Sequence, residues 1–238
     1  MSVIYIGEHG DDSVTSNNQP EEIAVGVIVE ALRLDIISGR LAPGSEINSV
    51  ELANRFGTSR TPVREALLIL DRYGLVSLTA RKRPKVATVS VEAIRDLYEL
   101  RRALHMYISD AIVHRASGED LTRLFHLARA LLDDVEVDSL EEQFERIEEY
   151  LDIEYDLCDN VLVIEMLHLL KWKIGWFRRL ALMTPEQLLR IGEDRLRVAQ
   201  AYIDRDSALA SALNSSMLQR GAEYSIANFL AKWGNKKG

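Results

Sequence analysis

The chain has 238 residues, of which 47% are hydrophobic, and a formal net charge of −8. That length favours two modest domains with real cores and excludes a fibrous or disordered chain, while the single cysteine, Cys158, excludes an internal disulfide or a cysteine-based zinc site and is expected to be a small buried apolar residue. No run of 18 uncharged residues occurs and no basic segment leads into an apolar block at the start, so neither a membrane span nor a signal peptide is expected, and cytoplasmic residence follows.

Residues 1–20 have no sustained apolar period and are expected to form a flexible tail. After Pro20, Ile23, Val27, Ala31 and Leu34 recur at helical spacing, and Gly39 stops that helix. A short second helix is expected to begin at Asn48 or Ser49 and run to Gly57, which supplies the turn of a helix-turn-helix. The third helix opens at Ser59-Arg60-Thr61-Pro62, because proline suits a first turn and Ser59 can cap it. Its inner stripe is Val63, Ala66, Leu67 and Leu70, while Arg60 and Arg64 stand one turn apart on the outer face beside Thr61, the form of a helix that reads a major groove. Leu75–Leu78 and Val86–Val89 have strand character, and between them Arg81, Lys82, Arg83 and Lys85 make a basic hairpin tip suited to phosphates or a minor groove. From Glu21 to Thr88 there are ten Arg and Lys against eight Asp and Glu, a local charge of +2 that leaves −10 elsewhere. The chain therefore divides into a polyanion-facing module and an acidic body.

Residues Ile37–Gly44, Glu51-Leu52-Ala53, Ser59–Leu67 and Gly74-Leu75-Val76 together resemble the winged-helix domain of GntR-family bacterial transcription regulators. The resemblance implies a winged helix-turn-helix of three helices and a small β-hairpin over 21–89. It also implies base and phosphate contacts by Arg60 and Arg64, with Ser59 and Thr61 as neighbouring hydroxyls. Many members have a glycine in the wing tip, where this chain has Arg81-Lys82-Arg83.

From Ser90 the pattern is helix after helix, giving a mainly α fold whose second part, 90–233, is an antiparallel bundle of about six helices. Leu97, Leu100, Leu104, Ile108 and Ala111 form one stripe, and Leu121, Leu124, Ala128, Leu131 and Val135 a second. Ser139 and Glu142 suggest a capping box ahead of Leu140, Phe144, Ile147 and Leu151. A fourth stripe runs Val163, Leu167, Leu170, Ile174 and Phe177; Thr184-Pro185 opens a fifth helix, and a sixth spans about Asp206 to Phe229. This half resembles the all-helical effector domain of the FadR-like branch of the GntR family, on Leu97–Leu104, Asn160–Val163 and Ala201–Asp206 with Ala210.

Many domains of that type hold a divalent metal by Asp and His side chains, with a small carboxylate on the metal. Aligned on Asp206, the two late histidine positions fall on Arg195 and Met217, and the earlier Asp-x-x-x-His element falls on Asp152 and Asp156 or on Ile147 and Leu151. No cofactor is therefore expected, although a divalent metal stays open. Arg195 instead supplies fixed positive charge for an anionic effector, held by Asp152 or Asp156 and helped by Arg101; the alternative is that both arginines merely bridge the bundle or lie on its surface. The expected function is a sequence-specific regulator, a repressor or activator, that binds double-stranded operator DNA as a homodimer and responds to a small organic acid, without a membrane partner. The competing reading is a metal-dependent bundle enzyme using Glu145, Glu148, Glu149, Asp152, Glu154 and Asp156, but a second Glu-x-x-His to pair with Glu165 and His168, a nucleophile elbow, a zincin motif and a P-loop are all missing, so the acidic run reads as a solvated helix face and no enzyme is expected.

Overall fold

A computed structural model describes residues 19–133, 140–181 and 183–233. Apart from Gln19 and Pro20, the expected tail lies outside the described residues, as do Val135 and Ser139. The described residues form nine helices and one two-stranded sheet. The first three helices are α1 (Gln19–Ile37), α2 (Ser49–Arg55) and α3 (Arg60–Arg72).

Helix α1 turns a different face inward from the expected one. Val27 and Leu34 are 56% and 44% exposed, whereas Ile28, Leu32 and Ile36 are at most 1% exposed. The helix is apolar almost all round, so hydrophobic spacing fits two faces; the side that carries Glu30 is the one left to water. At its end Gly39 takes φ +79°, and the Leu41 N–H donates to the Asp35 carbonyl at 2.9 Å. The buried Asp35 carboxylate then accepts from Arg40 at 2.6 Å and Arg55 at 2.7 Å, fastening the turn and α2 to α1. Burial alone would raise its pKa, but these two donors outweigh that and hold it below the usual value.

Asn48 caps α2, accepting the Val50 and Glu51 N–H groups. Gly57 takes the left-handed turn, φ +62°, with the Thr58 N–H returning to the Ala53 carbonyl at 3.0 Å. Ser59 occupies the N-cap position of α3, but its side chain makes no capping bond, contrary to expectation. Its backbone is extended and its side chain exposed, which leaves the hydroxyl outward. The buried stripe of α3 is the expected one, Val63, Ala66, Leu67 and Leu70.

The wing is shorter than its apolar runs suggested. Strands β1 (Val76–Ser77) and β2 (Lys85–Val86) pair antiparallel, and 44–47 adds an outer rung through Ile47 N–H to Pro84 O, 2.8 Å, and Val86 N–H to Ser45 O, 2.9 Å. Val89 leaves the sheet because the next residue, Ser90, already caps the following helix by accepting the Ala93 N–H.

Six helices follow: α4 (Val91–Arg115), α5 (Gly118–Asp133), α6 (Leu140–Asp156), α7 (Val161–Ala181), α8 (Pro185–Ile203) and α9 (Ser207–Trp233). Thr184 and Gln187 form the capping box that opens α8. One apolar core joins α1, α2, α3 and the wing to Ile94, Leu97 and Tyr98 of α4, Ile174, Trp176 and Phe177 of α7, and Leu218 of α9. A second fills the far end of the bundle around Ile112, Leu124, Tyr155 and Val198, with Cys158 fully buried as expected. Helix α4 departs from its predicted stripe: Leu100 is 41% exposed, while Arg101, His105 and Ser109 point inward. His105 and Ser109 meet polar side chains there, Glu154, Tyr202 and Asn214, so polar residues replace leucine on that face.

Candidate functional site

Two places gather chemistry. The first is an open groove of about 640 Å³ between α3 and the wing, lined by Ser49, Arg60, Thr61, Arg64, Arg81 and Lys82 among others, with no acidic side chain in its lining. The N-terminal turn of α3 presents Arg60, Thr61 and Arg64, all exposed, because the apolar stripe fixes the opposite face in the core. At the wing tip the Lys82 N–H donates to the Thr79 carbonyl at 3.1 Å, which forces Arg81 to φ +63°. That is the left-handed region where glycine is the easy choice, so this chain accepts local strain to place a cation there.

The wing cations, adjacent in sequence, separate in space. Arg81 and Lys82 face the groove, whereas Arg83 and Lys85 lie against Glu46 at 3.2 and 3.7 Å. Arg40 and Arg55 are held by Asp35. The groove therefore combines a helix with two guanidiniums for base edges and phosphates and a second basic arm beside it, the arrangement that fits duplex DNA.

The second place is inside the bundle. Arg101 of α4, Arg178 of α7 and Arg195 of α8 are 1%, 8% and 2% exposed and line one cavity of about 30 Å³ with Tyr98, Phe144 and Met217. Gly221 of α9 also lines it, and a Cβ there would stand 3.1 Å from the Tyr98 ring, so its hydrogen lets α9 approach α4. The Arg101 guanidinium lies 5.0 Å from the Tyr98 ring centre, and that of Arg195 lies 4.5 Å from Tyr150. Beside them sit His105 and Glu154, both at most 1% exposed, with Nδ1 and Oε2 3.8 Å apart. Glu154 Oε1 accepts from the Tyr202 hydroxyl at 3.0 Å, and the Asn214 amide donates to that hydroxyl at 2.9 Å.

Burial sets the charge states here. Desolvation, then the positive charges of Arg101, Arg195 and Arg178, hold His105 well below its ordinary pKa, so the ring is neutral. Burial also raises Glu154, against the pull of Arg195 and Tyr202. Arg178 is drawn down to about 10 by burial and by Arg101 beside it, and so stays charged at neutral pH. Because the unfolded chain protonates this histidine near pH 6.5 and the folded chain does not, His105 withdraws stability as pH falls below about 6.5. Glu154 acts in the opposite sense, recovering stability as pH falls toward 4.5. The His105→Phe variant should therefore lose less stability than the parent between pH 7 and pH 5.5 in urea unfolding, and an identical pH slope in the two proteins would count against a buried neutral histidine.

The expected acids are not the ones at the cavity. Asp152 accepts from Lys171 at 2.6 Å on a half-exposed side chain, and Asp156 is exposed, so neither holds Arg195. The buried carboxylate is Glu154, which also corrects the reading of the acidic run as wholly solvated. Extending the α6 stripe of Phe144, Ile147 and Leu151 by one turn reaches Glu154 and Tyr155, and extending that of α7 beyond Ile174 reaches Arg178; this was the available signal. One carboxylate and one imidazole beside three guanidiniums do not fit a divalent cation, and the described residues hold no group of three or more His, Cys, Asp or Glu that could bind one.

Residues 25–86 match the family model of bacterial regulatory proteins of the gntR family, and residues 96–220 match that of the FCD domain. The chain belongs to the GntR family, with an FCD domain. This GntR-family chain is 28% identical to BphR of Paraburkholderia xenovorans LB400, an uncharacterized HTH-type transcriptional regulator, over 83% of this chain and 85% of that one. It is 25% identical to the HTH-type transcriptional repressor RspR of Escherichia coli K12 over 82% and 86%. With the regulator YdhC of Bacillus subtilis 168 it shares 31% identity over 93 residues, 39% of this chain but only 42% of YdhC. Among solved structures, E. coli McbR/YncC has the same fold, with a TM-score of 0.70, 21% identity and coverage of 88% of this chain and 98% of that one. The relatives are named as transcription regulators, and the GntR chain is a DNA-binding transcriptional regulator of this type. No described helix is long and apolar enough to cross a membrane.

Proposed function

We propose that this GntR-family regulator works in the cytoplasm as a homodimeric repressor whose grip on a specific operator changes when a small anionic metabolite occupies the helical bundle. The observation that carries the effector is the set of three buried arginines lining one cavity, with one buried carboxylate among the described residues, Glu154, beside two of them, an excess of buried positive charge that packing alone does not call for. Repression follows the printed role of RspR. Dimerisation follows from the operator: one winged helix buries too little surface for useful affinity, and two would read half-sites about 10 base pairs apart. Arg60, Thr61 and Arg64 would read the major groove, with Ser59 and the wing residues Arg81 and Lys82 on the backbone; Arg83 and Lys85, paired with Glu46, add long-range attraction.

Helix α7 gives the two sites a physical connection. It carries Arg178 at the cavity, and six residues earlier Trp172, whose ring stacks on Tyr73 with centres 4.0 Å apart. Tyr73 is the C-cap of the recognition helix, and Arg33 of α1 lies 5.7 Å from the same indole. A ligand that repositions Arg178 thus moves a helix seated on the end of α3. The test is fluorescence anisotropy with DNA flanking the protein's own gene, with and without organic acids. An acid that shifts operator affinity at least fivefold supports the reading; unchanged affinity across carboxylates and phosphates that measurably bind the protein would sink it. In Trp172→Ala the operator should still bind within about threefold of the parent, while the acid's effect, about 5- to 150-fold in a typical coupled system, drops below about threefold.

A further inference from the structure

We propose that the cavity is built for a dianionic organic acid with a short apolar body, a dicarboxylate or phosphate monoester, whose charge replaces the counter-ions that the three arginines lack. This rests on the effector reading above and narrows it.

The first support is charge. Arg101, Arg178 and Arg195 bring three positive charges into a space less than a tenth exposed, and among the described residues the one buried acid whose charge they feel, Glu154, offsets a single charge even when ionised. With His105 neutral, two positive charges are left without a partner in low dielectric. A monoanion would still leave one.

The second support is hydrogen bonding. Arg101 Nε, Arg195 Nη1, the Tyr155 hydroxyl and both ring nitrogens of His105 are buried without a hydrogen-bond partner among the described residues, while burial raises the pKa of the Tyr150 hydroxyl and the Arg195 guanidinium beside it works the other way. The open acceptors of the same cluster are Glu154 Oε2, Asn214 Oδ1 and the unprotonated nitrogen of neutral His105, and the Tyr155 oxygen can accept as well. The two guanidinium nitrogens can only donate and each still lacks an acceptor among the described residues, so the missing partner is rich in acceptors and poor in donors. Two carboxylates or one phosphate have that character, and a sugar or an amine does not.

The third support is the remaining wall. The rest of the lining is largely apolar, including Phe144, Ile147, Met183, Ile191, Met217 and Leu218, which calls for an apolar body beside the charged end. The cavity's 30 Å³ is close to one water's share of liquid volume, so a ligand must displace side chains. Met183 and Met217, unbranched and readily repacked, are the natural ones to yield.

The experiment is calorimetric titration of the full-length protein at fixed ionic strength with matched probes: phthalate against its monomethyl ester, glutarate against its monomethyl ester, and phenyl phosphate against methyl phenyl phosphate. At least one dianion should bind ten or more times tighter than its monoanionic partner. Arg178→Gln, which removes one cation, should reduce that ratio below threefold. Should this variant fold poorly, Glu154→Gln serves instead, because removing the competing negative charge should tighten the dianion severalfold. A monoanion that binds as tightly as its matched dianion overturns the charge assignment and leaves the effector reading standing. Absence of heat, melting shift and operator response for every probe of either charge overturns both.

Discussion

Alanine at Arg64 lowers operator affinity about 10- to 100-fold, the worth of one good bidentate base contact at about 1–3 kcal/mol, and leaves thermal unfolding nearly unchanged. The two halves of this expectation come from the same geometry. Arg64 projects from α3 on the face opposite Val63, Leu67 and Leu70, in a groove with no acid in its lining, so nothing in the fold depends on its guanidinium. Exposed substitutions of that kind usually change stability by less than about 0.5 kcal/mol. Arg55→Ala makes the contrast: that side chain is equally cationic but tied to buried Asp35 at 2.7 Å, and its loss should lower the melting temperature while weakening DNA binding only through the fold. A third pattern distinguishes the wing. Replacing Arg81 and Lys82 together should weaken binding to all sequences alike and reduce the slope of log affinity against log salt by about 2, since each is a phosphate-type contact. Anisotropy titrations over a salt series, with operator and scrambled duplexes, separate the three. If Arg64→Ala weakened both duplexes equally, the arginine would be a backbone contact and the reading of sequence would have to move to Arg60 and Thr61.

How much of this was legible without coordinates differs between the two halves, for a physical reason. In the winged helix, local rules agree with one another: Gly57 and Gly74 at turns that need positive φ, Asn48 as a cap, and an apolar stripe on α3 flanked by arginines. There, the expectations fail at the Ser59 cap and the length of the wing strands, and where local signals are doubled or silent, on α1 with its two apolar faces and at the division of the wing cations by Glu46, a residue 37 positions from Arg83. The bundle interior breaks the rule by which the other stripes were found. Helix α4 turns Arg101, His105 and Ser109 inward and leaves Leu100 outside, so a hydrophobic stripe traces the wrong face there. The Arg195 position was reachable through the resemblance to the helical effector domain, because a substituted ligand position still marks the inner face, and Arg101 lay in the stretch that resembles that domain's opening helix. Asp152 and Asp156 were not correctable the same way, since Glu154 lies between them and only the α6 face, set by Phe144 and Leu151, separates inward from outward.

The second large effect concerns Arg195, and here stability and response should move in opposite directions. Arg195→Met raises the melting temperature of the ligand-free protein by roughly 3–8 °C and abolishes the response to any acid that binds the parent. Methionine keeps nearly the length of the chain and its contact with the Tyr150 ring, but removes a buried guanidinium whose Nη1 has no partner and whose neighbours include two more arginines. Replacing buried charges by apolar groups of similar volume commonly stabilises by about 1–4 kcal/mol. Against this stands the lost attraction of Arg195 for Glu154, which Arg101 partly supplies and which weakens further if the carboxyl takes up a proton. The lost cation–π contact with Tyr150, about 2 kcal/mol when desolvated, counts on the same side. The balance favours stabilisation because three cations facing one carboxylate become two. Arg102 of α4, bonded to Ser215 of α9 at 2.9 Å, is the control: Arg102→Met removes satisfied hydrogen bonds and should lower melting without touching the acid response. Differential scanning calorimetry on both variants decides it. A fall in melting for Arg195→Met would show the guanidinium to be a strut between α8 and α6, its charge already balanced within the fold, and the case for a cavity waiting for an anion would then fail.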